Sequence, residues 1–472
     1  MKFGIAYTLY ASITLAAVTY LLVGHLTYVT KGTNYALAFT MMWSHLAIKL
    51  VSSLKARPHT VAAGFDMASL RVDVTVPIYN EDPALLAAGV RSIATQRRLP
   101  RTVWLVDDGT ERDGQPFAIL GDPEVVAAVS SVRSAGVDVQ CIRQANQGKR
   151  HALATAFSRS DADVYITVDS DTVLKKDAIE KIIVPFSRPE VMSVAGTACG
   201  QNYQRSLFTR VVEMGFVMSF IQGRMAEGAY GSVRVNCGIL AAYRGRVVRE
   251  NIDRFLGQTF LGRPVRAGDD RLLTLFAKEQ GRAEYQPEAV AYSALPVNVR
   301  HLVRQRLRWA RSFCWGTLWL LRRPLSTADF WFTFTQVLAL VMYGIVTSMS
   351  VAAVFSGAVS LSLLSSTVMV AGAVGLISHF RYVLLARPGE PAHERLLTWW
   401  VSPLASLLSW SVLLPLYFVA TVTPRPQRTW GTRSQVEVSL FAEALAGQNR
   451  SASGREAAPA TVALAGGQGG SG

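Results

Sequence analysis

The chain has 472 residues, of which 50% are hydrophobic and only 17% charged, with a mean hydropathy of +0.24. So few charges argue against a wholly soluble enzyme, and so much apolar surface excludes an intrinsically disordered chain. Lys and Arg number 48 against 33 Asp and Glu, a formal charge of +15, which suits basic loops on the inner side of a membrane, a polyanion or a diphosphate ligand. In chain order, Ile5–Val29 is an apolar run with one histidine and no formal charge. It is long and lacks a small-x-small cleavage site, so it reads as a transmembrane helix rather than a signal peptide. Tyr35–Leu54 is interrupted by His45 and Lys49 and reads as a second span or an interfacial helix, with Lys55 and Arg57 on the cytoplasmic side. Residues 1–57 are thus expected to hold one or two membrane helices.

From 71 to 297 the composition becomes that of an α/β domain. Short β-branched runs (Val72–Val76, Thr102–Val106, Val137–Ile142, Val164–Val168, Met192–Ala195) alternate with helical patterns such as Pro83–Gln96. This alternation predicts βαβ units in a mostly parallel sheet, with ligands beyond the carboxyl ends of the strands. A basic amphipathic stretch occupies 298–325. Apolar segments at Phe330–Phe355, Ala358–Ile377 and Thr398–Val422 then make 329–423 a membrane region. The first two of these form a hairpin. The third, with Pro403 and Pro415, is expected to be re-entrant or bent along the inner leaflet. Residues 424–446 read as a cytosolic segment and 447–472 as a disordered Gly/Ala/Ser tail. Cys141, Cys199, Cys237 and Cys314 are far apart, with no Cys-x-x-Cys, which excludes a disulfide scaffold and a zinc ribbon. In a domain that faces the cytosol all four are expected to be reduced.

The chemistry-bearing residues sit at strand ends. Val164–Val168 runs into Asp169-Ser170-Asp171, two carboxylates able to share a hard cation with phosphate oxygens; chance occurrence in a surface loop is the competing reading. Thr102–Val106 runs into Asp107-Asp108-Gly109-Thr110, suited to a base N–H or a ribose hydroxyl, or else to an ordinary tight turn. Asn146–Arg150 is a flexible turn with two cations that could face a diphosphate. Gly268-Asp269-Asp270-Arg271 opens an amphipathic helix (Leu272–Glu279), where an acid is either a cap or a general base. Gln305-Arg306-Leu307-Arg308-Trp309 lies on the basic amphipathic stretch, which also suits a membrane surface.

Taken in order, these motifs resemble the processive family 2 glycosyltransferases, in the branch of hyaluronan synthases and nodulation-type chitooligosaccharide synthases. The resemblance spans about Asp73 to Trp315. It is carried by Pro77–Glu81, Val106–Thr110, Gly148-Lys149-Arg150, Asp169–Asp171, Gly268–Arg271, Gln305–Trp309 and Trp430-Gly431-Thr432-Arg433. It implies an α/β GT-A (nucleotide-diphospho-sugar transferase) domain between transmembrane helices that binds UDP-sugars. By the family pattern Asp107 and Asp108 lie near the uridine, and Lys149 near the nucleotide. Asp169 and Asp171 bracket the diphosphate and Mg²⁺ or Mn²⁺, with Asp171 on the metal. Asp270, beside Asp269, is the catalytic base. Gln305, Arg308 and Trp309 cover donor and acceptor, and Trp430 and Arg433 return to the nucleotide.

The implied activity is an inverting, metal-dependent hexosyltransferase in the plasma membrane, its catalytic domain cytoplasmic. It polymerises UDP-GlcNAc, with or without UDP-GlcA, into an exported polysaccharide. Its partners are UDP-sugars, the growing chain and the bilayer, with no nucleic acid. Two departures fall where the acceptor should bind. Asn236-Cys237-Gly238-Ile239-Leu240 lacks the branch's Gly-Pro, and Arg311–Trp315 is not followed by its usual acid. A chitin-like or other capsular product, or a lipid-directed transfer of one sugar, stays open. A transporter is disfavoured, because the C-terminal apolar runs carry almost no ionisable residues.

Overall fold

The computed structural model describes residues 12, 36–265, 267–357, 372–385, 387 and 389–423. Nearly all of the expected first span, the 424–446 segment with Trp430 and Arg433, and the tail lie outside the described residues. The first complete element is α1 (Ala36–Lys55), with Lys55 in its last turn, where a cation suits the helix dipole.

The catalytic-domain elements follow as β1 (Val72–Ile78), α2 (Pro83–Ala94), β2 (Thr102–Asp107), β3 (Asp138–Arg143), α3 (Lys149–Arg159), β4 (Val164–Thr167), β5 (Val173–Leu174), β6 (Val191–Gly200), α4 (Leu207–Met218), β7 (Ala241–Arg244), α5 (Asp269–Gln280) and β8 (Arg282–Ser293). Local chemistry fixes the helix starts. Asp82 accepts from Ala84 N at 2.9 Å with Pro83 in the first turn, and Ser206 and Thr209 form a capping box at α4. All five expected strands are present.

They join an eight-stranded sheet in the order β3-β2-β1-β4-β7-β6-β8-β5. β1, β2, β3 and β4 run parallel, as do β6 and β8, whereas β7 is antiparallel to both its neighbours and β5 is antiparallel to β8. The sheet is therefore mixed rather than mostly parallel. The expectation missed β7 and β8 for local reasons. Ala241–Arg244 is only four residues long, and two of them are alanine. β8 contains Pro287, which a register shift between Tyr285 and Val290 accommodates. Every residue of β1 and β2 is buried, as expected for strands packed on both faces, and in register Ile78 lies opposite Asp107.

After the sheet come α6 (Val299–Leu320), α7 (Ala328–Phe355), α8 (Ala392–Trp400) and α9 (Ser402–Val422). Helices α7 and α9 are each long and apolar enough to cross a bilayer, and little of either is buried in the protein. Phe355 is 87% exposed, and Val351, Val354 and Val422 are exposed with it. The segment Thr398–Val422 is not one bent element. The break falls at Val401, and α9 then continues unbroken past Pro415. A π-turn at Ser409–Leu413, in which Leu414 N bonds Ser409 O at 2.8 Å, absorbs the N–H that proline lacks. The membrane-side helices pack on one another through Trp43 and Trp410, Tyr343 and Trp410, and Phe313 and Tyr417.

Candidate active site

A cavity of about 450 Å³ opens beyond the carboxyl ends of β1 and β4, and it extends from there to α7 and α9. Its inner end is built by two helix N-termini. Lys149 is the first residue of α3, after Gly148, and Asp269 and Asp270 are the first two of α5. Lys149 Nζ lies 2.6 Å from Asp169 Oδ1 and 3.2 Å from Asp269 Oδ2. Burial works against this ammonium, but the two carboxylates outweigh it and hold Lys149 above the ordinary lysine range. Asp270 behaves in the opposite way. Burial first, and the Asp269 carboxylate second, push its carboxyl up to about 6. Its Oδ1 accepts from Arg271 N at 2.7 Å.

The Asp-Ser-Asp turn is closed by Thr172 N on Asp169 O at 3.1 Å. It is pinned by Ser170, whose hydroxyl donates to Glu81 at 2.6 Å; Ser293 donates to Asp171 at 3.4 Å. Two glycines let the walls close on the acids. Gly268 has φ +77°, and a Cβ there would stand 2.9 Å from Ser312, so α6 lies directly against the Gly-Asp-Asp turn. A Cβ on Gly238 would stand 2.9 Å from Lys149 Nζ, so this backbone forms part of the floor without a side chain.

The cavity brings together eight of the expected site residues: Lys149, Asp169, Asp171, Asp269, Asp270, Gln305, Arg308 and Trp309. Trp309 stacks on Phe216, ring centroids 6.4 Å apart. Asp107 and Asp108 do not line the cavity and are fully buried. Asp108 accepts from Gln147 N, from Gly148 N at 2.7 Å and from Gln144 Nε2 at 2.7 Å, so it shapes the basic loop that presents Lys149. Asp107 accepts from Thr110 N at 2.9 Å. Arg150, the loop's second cation, does not line the cavity; it donates to Gln258, Phe255 O and Ala267 O. Trp430 and Arg433 lie outside the described residues.

Sequence reasoning missed a second set of lining residues on the membrane side: Arg224, Glu227, Arg234 and Gln336. These come from three separate elements and carry no common spacing, so no local signal marked them. Glu81 did have one, since it closes the matched Pro77–Glu81 run. Among the described residues, no group of three or more His, Cys, Asp or Glu side chains is placed to hold a metal ion unaided.

The profile of glycosyl transferase family 2 matches residues 73–251. A hyaluronan synthase of Streptococcus pyogenes is 30% identical over 402 residues, 84% of this chain and 90% of that one. The chain belongs to the processive family 2 glycosyltransferases. Within them it falls in the branch of hyaluronan synthases and nodulation-type enzymes. An N-acetylglucosaminyltransferase of Azorhizobium caulinodans is 36% identical over 282 residues, 58% of this chain and 69% of that one. Among solved structures, a mannosyltransferase from Pyrobaculum calidifontis in complex with GDP-Man and Mn²⁺ superimposes with a TM-score of 0.48 at 19% identity, over 79% of this chain and 98% of that one. By its family membership the mixed-sheet domain is a GT-A domain, and the protein is a hexosyltransferase of the polysaccharide-synthase type whose domain is followed by two helices able to cross a bilayer.

Proposed function

We propose that this cavity transfers sugars from UDP-sugar donors onto a growing polysaccharide, with inversion and by direct displacement. The observation that carries this reading is the cavity's continuity. It runs from the Lys149–Asp169–Asp270 end, past the Gln305–Trp309 helix, to the membrane helices. The diphosphate sits at the N-terminus of α3, where backbone N–H groups and Lys149 receive negative charge. As the anomeric bond breaks, Lys149 holds the charge that develops on the departing UDP. Asp270, ionised at neutral pH yet more basic than an ordinary aspartate, takes the proton of the acceptor hydroxyl as it attacks the anomeric carbon.

The inner end sets Asp169, Asp269 and Asp270 around one lysine, with Asp171 and Glu81 beside them, and a bound diphosphate adds further negative charge. The oxygen donors of Asp171 and Asp169 suit Mg²⁺ or Mn²⁺, which when bound neutralises the diphosphate. Gln305, Arg308 and Trp309 cover the donor sugar and the acceptor end. Asp107 and Asp108 support the uridine side through the loop they shape, and Trp430 and Arg433, outside the described residues, remain nucleotide ligands by the family pattern alone. The catalytic domain is cytoplasmic, in the plasma membrane of the cell, and the chain leaves through the helices above the site.

The hyaluronan synthase relative favours a product from UDP-GlcNAc and UDP-GlcA. The N-acetylglucosaminyltransferase relative favours UDP-GlcNAc alone as the second reading. Membranes given each radiolabelled UDP-sugar singly and in pairs decide between them. A ladder of single-sugar lipid products in place of polymer would refute both.

A further inference from the structure

The cavity is unevenly charged. Its inner end is dominated by Asp169, Asp171, Asp269 and Asp270, whereas the end facing the membrane helices is cationic. There Arg234 is compensated, with Glu227 at 2.5 Å and Gln336 at 2.5 Å. Arg224 and Arg306 are not. Among the described residues neither makes an ion pair with a carboxylate. Arg224 donates to Val235 O at 3.0 Å and to Ser219 O and Oγ at 3.3 and 3.2 Å, all neutral acceptors, and lies 4.0 Å over the Phe220 ring. Arg306 lies 4.6 Å over the Trp309 ring, and its Nε is buried without a hydrogen-bond partner.

Burial lowers Arg306 to about 10, so it stays charged at neutral pH. The groups whose fields reach it are Tyr417 on α9, Cys237 and Arg224, and none of the four inner acids. Two guanidiniums that face one space repel each other, and Arg306 is also desolvated there, a cost that a ligand's anion offsets. The donor diphosphate belongs to Lys149 at the other end. The ligand at this end is the sugar chain on its way to the membrane.

We propose that Arg224 and Arg306 form a carboxylate subsite in the acceptor channel, which reads a uronate in the chain behind the sugar being extended. The product is then an anionic polymer and not a neutral homopolymer. This rests on the polysaccharide-synthase reading above and adds the product's charge to it. Guanidinium and carboxylate match in fork geometry, so a uronate settles both cations at once.

The test uses the full-length protein in lipid nanodiscs and two tetrasaccharides of equal length. One alternates glucuronate with N-acetylglucosamine; the other is N-acetylglucosamine only. Binding is followed by tryptophan fluorescence. The wild type should bind the acidic one at least about tenfold more tightly, the worth of roughly one charge-assisted hydrogen bond. Arg224→Gln and Arg306→Gln should each cut that preference to about threefold or less. Arg306→Lys should keep part of it, which separates charge from fold. Equal affinities in the wild type, or a preference that survives both substitutions, overturn the subsite. A KM for UDP-GlcNAc that rises along with the lost preference assigns these arginines to the diphosphate and overturns it too. Wild-type membranes that make polymer from UDP-GlcNAc alone, without taking up glucuronate, overturn the subsite and leave the synthase reading standing. Failure to make polymer from any UDP-sugar defeats the synthase reading itself.

Discussion

Asp270→Asn removes the proposed base and changes almost nothing else. The asparagine carbonyl can still accept from Arg271 N, the bond that Asp270 Oδ1 makes at 2.7 Å, so the first turn of α5 keeps its cap. The Lys149–Asp169 and Lys149–Asp269 pairs are untouched, so UDP binding should survive. The loss should therefore appear in kcat, by about a hundredfold to ten-thousandfold, the range of a positioned general base. The wild-type pH profile supplies a second reading of the same group. With its carboxyl pushed up to about 6, Asp270 is ionised above that pH and protonated below it, and only the ionised form accepts a proton. Transfer should fall as pH drops through about 6, losing roughly tenfold between pH 7 and pH 5. Initial rates of radiolabelled UDP-sugar incorporation across that range, for both proteins and alongside UDP binding, provide the assay. Residual activity above about a hundredth, or an acid limb that persists unchanged in the variant, would refute the assignment.

Three further outcomes follow from the same geometry. Excess EDTA should abolish turnover and added Mg²⁺ or Mn²⁺ restore it, with Asp171→Asn raising the metal concentration needed for half-maximal rate; full turnover in EDTA contradicts the metal reading. Gly238→Ala puts a methyl 2.9 Å from Lys149 Nζ, the movable end of a flexible side chain. It should shift the melting temperature by no more than about 2 °C yet cut kcat at least about tenfold; a large stability loss with normal kcat would show that the floor, not Lys149, gives way. No pair of the four cysteines should appear bridged in a non-reducing peptide map; Cys237, which burial pushes up to about 12, should alkylate far more slowly than exposed Cys141.

Much of this site was legible because its chemistry is local in sequence. Asp169 and Asp171 follow one strand, Lys149 opens a helix after a glycine, and Asp269 and Asp270 open another. Each therefore advertises its position through strand ends and caps. The antiparallel half of the sheet was not legible. β7 has too little apolar pattern over its four residues, and the proline of β8 argues against a strand until its bulge is seen. The buried state of Asp108 was hidden for a different reason. A strand-end aspartate looks the same in sequence whether it meets a ligand or three donors of the loop after the next strand. Arg150 follows the same rule, since its adjacency to Lys149 says nothing of the carbonyls it meets near 255 and 267. The membrane-side arginines are charges whose meaning exists only once α6, α7 and α9 enclose them.

A processive enzyme must also reset its acceptor end after every addition, and α5 is tied in a way that bears on this. At its N-terminus Asp269 is paired with the donor-side Lys149, and the main-chain oxygen of Asp270 accepts from Thr274 at 2.6 Å and from Tyr243 at 3.3 Å. At its other end Lys278 forms a buried pair with Asp329, 2.5 Å apart, in the first turn of the membrane-side helix α7. Twelve residues of helix, about 18 Å long, thus connect the proposed base to the membrane region as one rigid body. A base carried on a loop would relax independently each time the polymer advanced. One carried on this helix keeps its distance to the donor lysine while the chain slides past, because rigid elements hold a constellation better than loops do. The buried pair gives that coupling a cost of failure. Losing either partner leaves a desolvated charge, worth about 3–5 kcal/mol, at the joint between catalysis and membrane.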